Sequence, residues 1–314
     1  MNQLNLSKIG AKNESDANWI GYLVLVLALL GIAAASILIA IAETEIQPNA
    51  ITCDRLSIAA IAFMIWNLVR RDNNLNPDNS SEVPTLYTSK AIALLLLAGI
   101  SFAISLALWA WSLTQTSIAN STLLNNMMPI FTTLGGWLLF RQQFSRRFLI
   151  GMTVAIFGAI AISLGDLQLG ESNLTGDGAA LVAAMFSAIS ILTLEKLRMQ
   201  FSTLVIMQWT CLAGSIFLLP LVFLTEDRLL PISSTGWLSI ISLGLISQAI
   251  GQGLLTYSLA RFSSGFVAVS MLSIPVIAAF LALLIFGEQL SLFNLLAFAI
   301  VLFGIYLAVS DTST

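Results

Sequence analysis

Long apolar runs alternate along this chain with short polar breaks. Ten of the runs approach 20 residues, the length that crosses a hydrocarbon core of about 30 Å. They cover residues 20–42, 50–69, 90–114, 118–140, 147–165, 177–197, 203–225, 236–260, 264–286 and 291–310. Strands of a membrane barrel would be about ten residues long and would alternate polar with apolar, which these do not. The pattern predicts an all-α integral membrane protein of ten transmembrane helices. Residues 90–140 are apolar almost throughout, so the division between spans three and four rests on the polar cluster Thr114, Gln115, Thr116 and Ser117, which can cap a new helix.

Basic residues in short loops stay on the cytoplasmic side. With the amino terminus placed inside, Lys8, Lys12, Arg70, Arg71, Lys90, Arg141, Arg146, Arg147, Lys196, Arg198 and Arg261 all fall inside. Arg228 alone falls outside, and Arg55 lies within a span. Both termini are therefore predicted to be cytoplasmic, in a multi-pass protein of the cell (inner) membrane. Residues 1–18 read as a polar cytoplasmic segment. Their Glu14 and Asp16 are unlike an acid-poor transit peptide and the first apolar run is too long for a signal sequence, so no cleavage is expected. The polar insertion 72–84 reads as a mobile cytoplasmic loop.

Composition narrows the chemistry. Of 314 residues, 58% are hydrophobic and 9% charged, which excludes an ordinary soluble enzyme. A formal charge of −3 leaves no basic surplus for phosphates, so no nucleic-acid partner is expected. Cys53 and Cys211 both sit in apolar runs and offer neither a disulfide framework nor a zinc quartet. With no histidine, histidine triads and relays are excluded, and no cofactor or metal is expected. The partners expected are the lipid bilayer and a small-molecule substrate.

The chain also repeats itself. Residues 100–158 align with 246–304 at a constant offset of 146 without a gap. Ile100, Ser101, Ala103 and Ile104 meet Ile246, Ser247, Ala249 and Ile250; Leu108, Ser112, Leu113 and Ser117 meet Leu254, Ser258, Leu259 and Ser263. Downstream, Pro129 meets Pro275, Phe140 meets Phe286, Gln143 meets Gln289, Ser145 meets Ser291, and Phe157 and Gly158 meet Phe303 and Gly304. Greasy helices resemble one another by chance, but chance does not hold two prolines and three loop positions in register. Two five-helix repeats follow, residues 19–166 and 176–310. An odd number of spans per unit inverts the second against the first, the signature of an alternating-access carrier.

The stretch Met271, Leu272, Ser273, Ile274 and Pro275, then Ile285, Phe286, Gly287 and Glu288, then Phe303 and Gly304, resembles the second unit of the ten-helix drug/metabolite transporters built from two EamA domains. The likeness covers roughly 20–165 and 177–310. Arg55 resembles an arginine common in the second span of that family. The first unit departs from the pattern: Arg141 and Gln142 stand where glycine and glutamate are expected, and no tryptophan-glycine pair marks the first helix. The resemblance implies export of amino acids, related metabolites or drugs, with spans four and eight in an inner ring around a central cavity.

Several polar residues within the spans are candidates for chemistry. Pro129 and Pro275 sit at the centres of spans four and nine, and each frees the carbonyl four residues earlier, at Asn125 and Met271, as a hinge or acceptor; the alternative is a packing kink. Asn125 and Asn126, with Gln248 and Gln252, are expected in one polar layer that either lines the solute path or ties helices together. Arg55 is a carboxylate contact or a structural bridge to Glu43 or Glu45. Asp54 and Glu195 are the only acidic candidates for proton coupling, Glu195 otherwise belonging to a solvated cluster with Lys196 and Arg198. Trp109 or Trp111 from span three is placed to stack on a solute, or to pack. Glu288 is read as structural, at the start of span ten, with Ser291 as its cap. Trp19, Trp66, Trp137 and Trp237 are interfacial belt residues, and Gly151, Gly158 and Gly165 form a smooth face for close helix contact.

The leading reading is a secondary carrier, a probable exporter of small polar or amphipathic metabolites. An intramembrane enzyme lacks a nucleophile with a base, a catalytic acidic pair and a metal set. A non-transporting scaffold or sensor is the alternative, and a sugar-phosphate or nucleotide-sugar carrier is disfavoured because Arg55 is the one basic residue well within a span.

Overall fold

Each apolar run becomes helix because a chain in lipid must satisfy its own backbone hydrogen bonds. The computed structural model describes residues 3–73, 87–165, 173–287 and 291–310, with side chains described for 19–69, 87–117, 120–162, 173–285, 287 and 291–310. Helices α1 (Gln3–Ala42), α2 (Pro48–Asn73) and α3 (Ser89–Gln115) are followed by α4 (Ile118–Asn125), α5 (Met128–Phe140) and α6 (Arg146–Gly165). The second half runs α7 (Leu174–Arg198), α8 (Thr203–Thr225) and α9 (Ser234–Ser242), a π-helical segment (Leu243–Gln252), then α10 (Gly253–Ser258), α11 (Ser264–Met271), α12 (Ile274–Phe286) and α13 (Leu292–Val309). No strand occurs among the described residues. Most of the 72–84 insertion, the side chains of Glu14 and Asp16, and Glu288 lie outside the described residues.

Eight helical stretches are long and apolar enough to cross a membrane: Trp19–Ala42, Pro48–Val69, Ser89–Gln115, Leu174–Arg198, Thr203–Thr225, Ser234–Ser258, Ser264–Ile285 and Leu292–Val309. The stretches expected as spans four and five are helical too, as α4 with α5 and as α6. The predicted division after span three is present: α3 ends at Gln115, and the Ser117 hydroxyl accepts from the Asn120 N–H to start α4.

The two halves break in the same places. α4 stops at Asn125 and α5 resumes at Met128; α11 stops at Met271 and α12 resumes at Ile274, each boundary shifted by 146. Pro129 and Pro275 stand in the first turns of α5 and α12, where a missing amide hydrogen costs nothing. The chain crosses each break through tight turns, Met127 N–H to the Leu124 carbonyl in one half and Leu272 N–H to the Val269 carbonyl in the other, both at 3.1 Å. Each downstream helix ends on a left-handed residue, Arg141 at φ 55° and Gly287 at φ 69°. The departure from glycine at Arg141 therefore leaves the backbone turn unchanged and adds strain, because a Cβ crowds the carbonyl in that conformation.

Helix pairings match in the same way. α3 packs on α7 as α1 packs on the π segment; α3 packs on α8 as α2 packs on the π segment; α5 packs on α7 as α1 packs on α12. α2 with α8 and α6 with α13 join equivalent elements of the two halves, and α5 with α11 joins the two broken spans. The α6–α13 backbones come close for a simple reason. A Cβ on Gly158 would lie 2.7 Å from the Val301 nitrogen, and one on Gly151 2.6 Å from the Gly304 carbonyl oxygen, so only glycine lets the two backbones meet.

Candidate functional site

At the level where α2, α3, α7, α8 and the π segment converge, a small cavity of ≈ 20 Å³ is lined by Gln248, Gln252, Ser190, Thr210, Cys211 and Phe102 among others. That is room for about one water molecule. The i→i+5 bonding of the π segment widens the helix where both glutamines sit, a distortion that recurs at functional sites. Gln248 is 2% exposed, and its Nε2 points at the Cys211 thiol, 3.8 Å away. So the structure brings Gln248 and Gln252 together on one cavity, as their spacing predicts.

It does not bring Asn125 and Asn126 to that cavity. Asn125 is seven residues from the start of α4, about 11 Å, whereas Gln248 is fourteen residues from the start of α9, about 20 Å. The single amide layer expected from sequence is replaced by two levels. The upper level holds more than the asparagines. Asp54 Oδ2, Arg55 Nε, Trp109 Nε1, Asn125 Oδ1 and Asn126 Nδ2 are buried polar atoms without a hydrogen-bond partner. All belong to α2, α3 or the α4 break, six to eight residues from the start of α2, the end of α3 or the start of α4. Such atoms cost about 1–3 kcal/mol each when left unpaired, so each is open to a polar partner.

Arg55 connects the two levels. It is 7% exposed, its guanidinium lies 6.0 Å from the centre of the Phe102 ring, and Phe102 lines the lower cavity. Trp109 lies two turns above Phe102 on the same face of α3. Glu45 is not the partner of Arg55: it accepts instead from the Ile232 N–H at 2.9 Å, the Ser233 N–H at 3.0 Å and the Ser233 hydroxyl. Trp111 is 48% exposed and faces outward, which leaves Trp109 as the inward tryptophan. Trp19, Trp66, Trp137 and Trp237 are exposed near the ends of their apolar runs, as belt residues should be.

Glu195 is not a solvated member of a charge cluster. Half-buried near the end of α7, it accepts from Gln142 Nε2 at 2.9 Å and from the Ser264 hydroxyl at 2.6 Å, tying the α5–α6 loop to the start of α11. The opposite ends of the helices are tied as well. Glu226 accepts from the N–H groups of Asn49 and Ala50 at 2.8 and 2.7 Å, capping α2 from the α8–α9 loop. Glu45 does the same for α9 from the α1–α2 loop. The hydrogen bonds from Ser233 and Ile232 hold the Glu45 carboxyl below the ordinary carboxylate range, while burial pushes that of Glu226 up against its two backbone donors. Neither latch was visible in the sequence, because a carboxylate in a loop looks solvated until the helix start it caps is brought beside it.

Known proteins carry the same organisation. The model of the EamA-like transporter family matches twice, over residues 19–164 and 174–310. An uncharacterized transporter of Archaeoglobus fulgidus is 23% identical over 289 residues, covering 91% of this chain and 96% of its own. A probable terminal-alkyne amino-acid exporter of Streptantibioticus cattleyicolor is 25% identical over 181 residues, covering 57% of this chain and 59% of its own. A solved crystal structure superposes with a TM-score of 0.77 at 17% identity, covering 92% of this chain and 96% of that one, which establishes the fold. With nine-tenths of its length inside two copies of one family unit, the chain belongs to the EamA-like transporter family of drug/metabolite transporters and is a multi-pass membrane transporter.

Proposed function

We propose that this transporter is a secondary carrier that exports small polar or amphipathic metabolites, amino acids foremost, by alternating access between two inverted five-helix repeats. The observation that carries this reading is the shared register of 146 residues, in which helix breaks, left-handed ends and helix pairings recur in both halves. Units of five spans in that register are related by a pseudo-two-fold axis in the membrane plane, with the solute at their interface. The distribution of basic residues supports cytoplasmic termini in a protein of the inner membrane.

The unpaired atoms support the solute class. Arg55, Trp109 and Asn126 supply donors suited to a carboxylate, and Asp54 and Asn125 supply acceptors suited to an ammonium group. A scaffold would have these atoms paired with one another. Gln248 and Gln252 line the path below, Pro129 and Pro275 are the hinges, and Asp54 and Glu195 are the coupling candidates. No cofactor takes part. The S. cattleyicolor relative, named for amino-acid export, agrees in substrate class. Efflux from proteoliposomes against a panel of amino acids and cationic drugs, with and without a proton gradient, tests the proposal. Protein-dependent efflux of at least one amino acid is expected; a panel that leaves no faster than from protein-free liposomes would overturn it.

A further inference from the structure

A second cavity, larger than the polar one, lies away from it. A cleft of ≈ 750 Å³ opens sideways between the inner parts of α2, α8 and the π segment with α10. Its floor is apolar, with Phe63, Leu204, Ala249 and Leu254, and its rim carries Trp66, Ile250 and Tyr257, all exposed to the surroundings of the helix bundle. From Tyr257 to Leu245 the cleft follows twelve residues of helix, about 18 Å, close to half of a 30 Å hydrocarbon core. At the end nearer the basic loops the lining turns polar, with Arg198, Ser202 and Thr203.

Among the described residues, Arg198 carries its charge there without a carboxylate partner. Its Nη1 donates to the Phe201 carbonyl at 2.7 Å, its guanidinium lies 5.8 Å from the centre of the Tyr257 ring, and its Nε has no partner. Glu195, the nearest carboxylate in sequence, is occupied by Gln142 and Ser264. Thr203 adds a hydroxyl that is likewise unpartnered. A one-leaflet apolar trough with an uncompensated cation at head-group level, beside the interfacial Trp66, matches one molecule that the surroundings supply in abundance.

We propose that this cleft binds an anionic phospholipid, one acyl chain lying along Phe63, Ala249 and Leu254 and the phosphate on Arg198. Leaving the bilayer for the trough changes the surroundings of the chain little, because lipid tails are as apolar as the cleft. Selectivity therefore resides in the charge-assisted bonds to the phosphate and favours a net-negative head group over a zwitterionic one. The leaflet concerned rests on the orientation proposed above, but binding itself does not.

Native mass spectrometry of the full chain in detergent tests this with three probes: palmitoyl-oleoyl phosphatidylglycerol, the matching phosphatidylcholine, and glycerol phosphate without a chain. The wild type is expected to retain one phosphatidylglycerol about tenfold more tightly than phosphatidylcholine, and to ignore glycerol phosphate. Arg198→Gln should erase the head-group preference, and Ala249→Phe, which fills the trough and leaves Arg198 in place, should lose both lipids while staying monodisperse. Equal retention of the two lipids by the wild type, binding of glycerol phosphate alone, or wild-type phosphatidylglycerol retention by Ala249→Phe would each overturn the proposal. If Arg198→Gln fails to fold, Ala249→Phe decides.

Discussion

At the scale of single residues, the polar side chains of the spans can be tested one by one. If Arg55 meets a carboxylate, Arg55→Gln should lower transport of anionic and zwitterionic solutes about tenfold or more and spare cationic ones, since a charge-assisted bond contributes about 1.5–3 kcal/mol. Loss of all solutes together with loss of folded protein would make Arg55 a structural bridge instead. Gln248→Ala and Gln252→Ala should impair transport while changing thermal stability little, because hydrogen bonds between membrane helices average about 0.6 kcal/mol. The residue types were legible in the sequence: a lone arginine, neutral amides and an inward tryptophan stand out in apolar runs. Their grouping was not. Counting from the prolines set Asn125 level with Gln248, yet the two lie about 11 and 20 Å from the starts of α4 and α9.

At the scale of elements, the helix ends and close contacts decide stability. Arg141 is the one non-glycine residue with positive φ among the described residues, where its repeat partner is Gly287. Arg141→Gly should therefore stabilise the protein by about 1 kcal/mol, read as a higher melting temperature in detergent. Gly158→Leu should do the opposite and severely, since its side chain would drive into the Val301 backbone of α13. The Glu45 latch adds a pH dependence with a defined sign. Its carboxyl is held below the ordinary range, so the latch stabilises the fold above that range and is lost as pH falls through the lowered value. Melting temperature should fall on acidification from about pH 6 to about pH 3, and Glu45→Gln should flatten that part of the fall. The runs, caps and proline breaks were readable because each depends on local sequence. The π segment and the two carboxylate latches depend on neighbours more than 150 residues away and were not.

At the scale of the whole molecule, the repeat makes the strongest demands. The constant offset was visible in the sequence because prolines, caps and loop positions kept register, and the structure places helix breaks at the same offsets. The proposed orientation rests on the basic residues. A cysteine at Thr44, exposed in the α1–α2 loop, should react with an impermeant thiol reagent outside intact cells, and one at Met199, exposed after α7, should not; the reverse pattern would invert the topology. Alternating access makes the most direct demand of all. The α1–α2 loop is tied to α9 through Glu45 and Ser233 on one side, and the α5–α6 loop to α11 through Glu195 on the other. Spin labels at Thr44 with Ser234, and at Gln143 with Ser263, would report the two sides by pulsed electron paramagnetic resonance in liposomes. Saturating transported solute should lengthen one distance and shorten the other, whereas two distances that stay fixed or change together would contradict a carrier that rocks two halves about a central site.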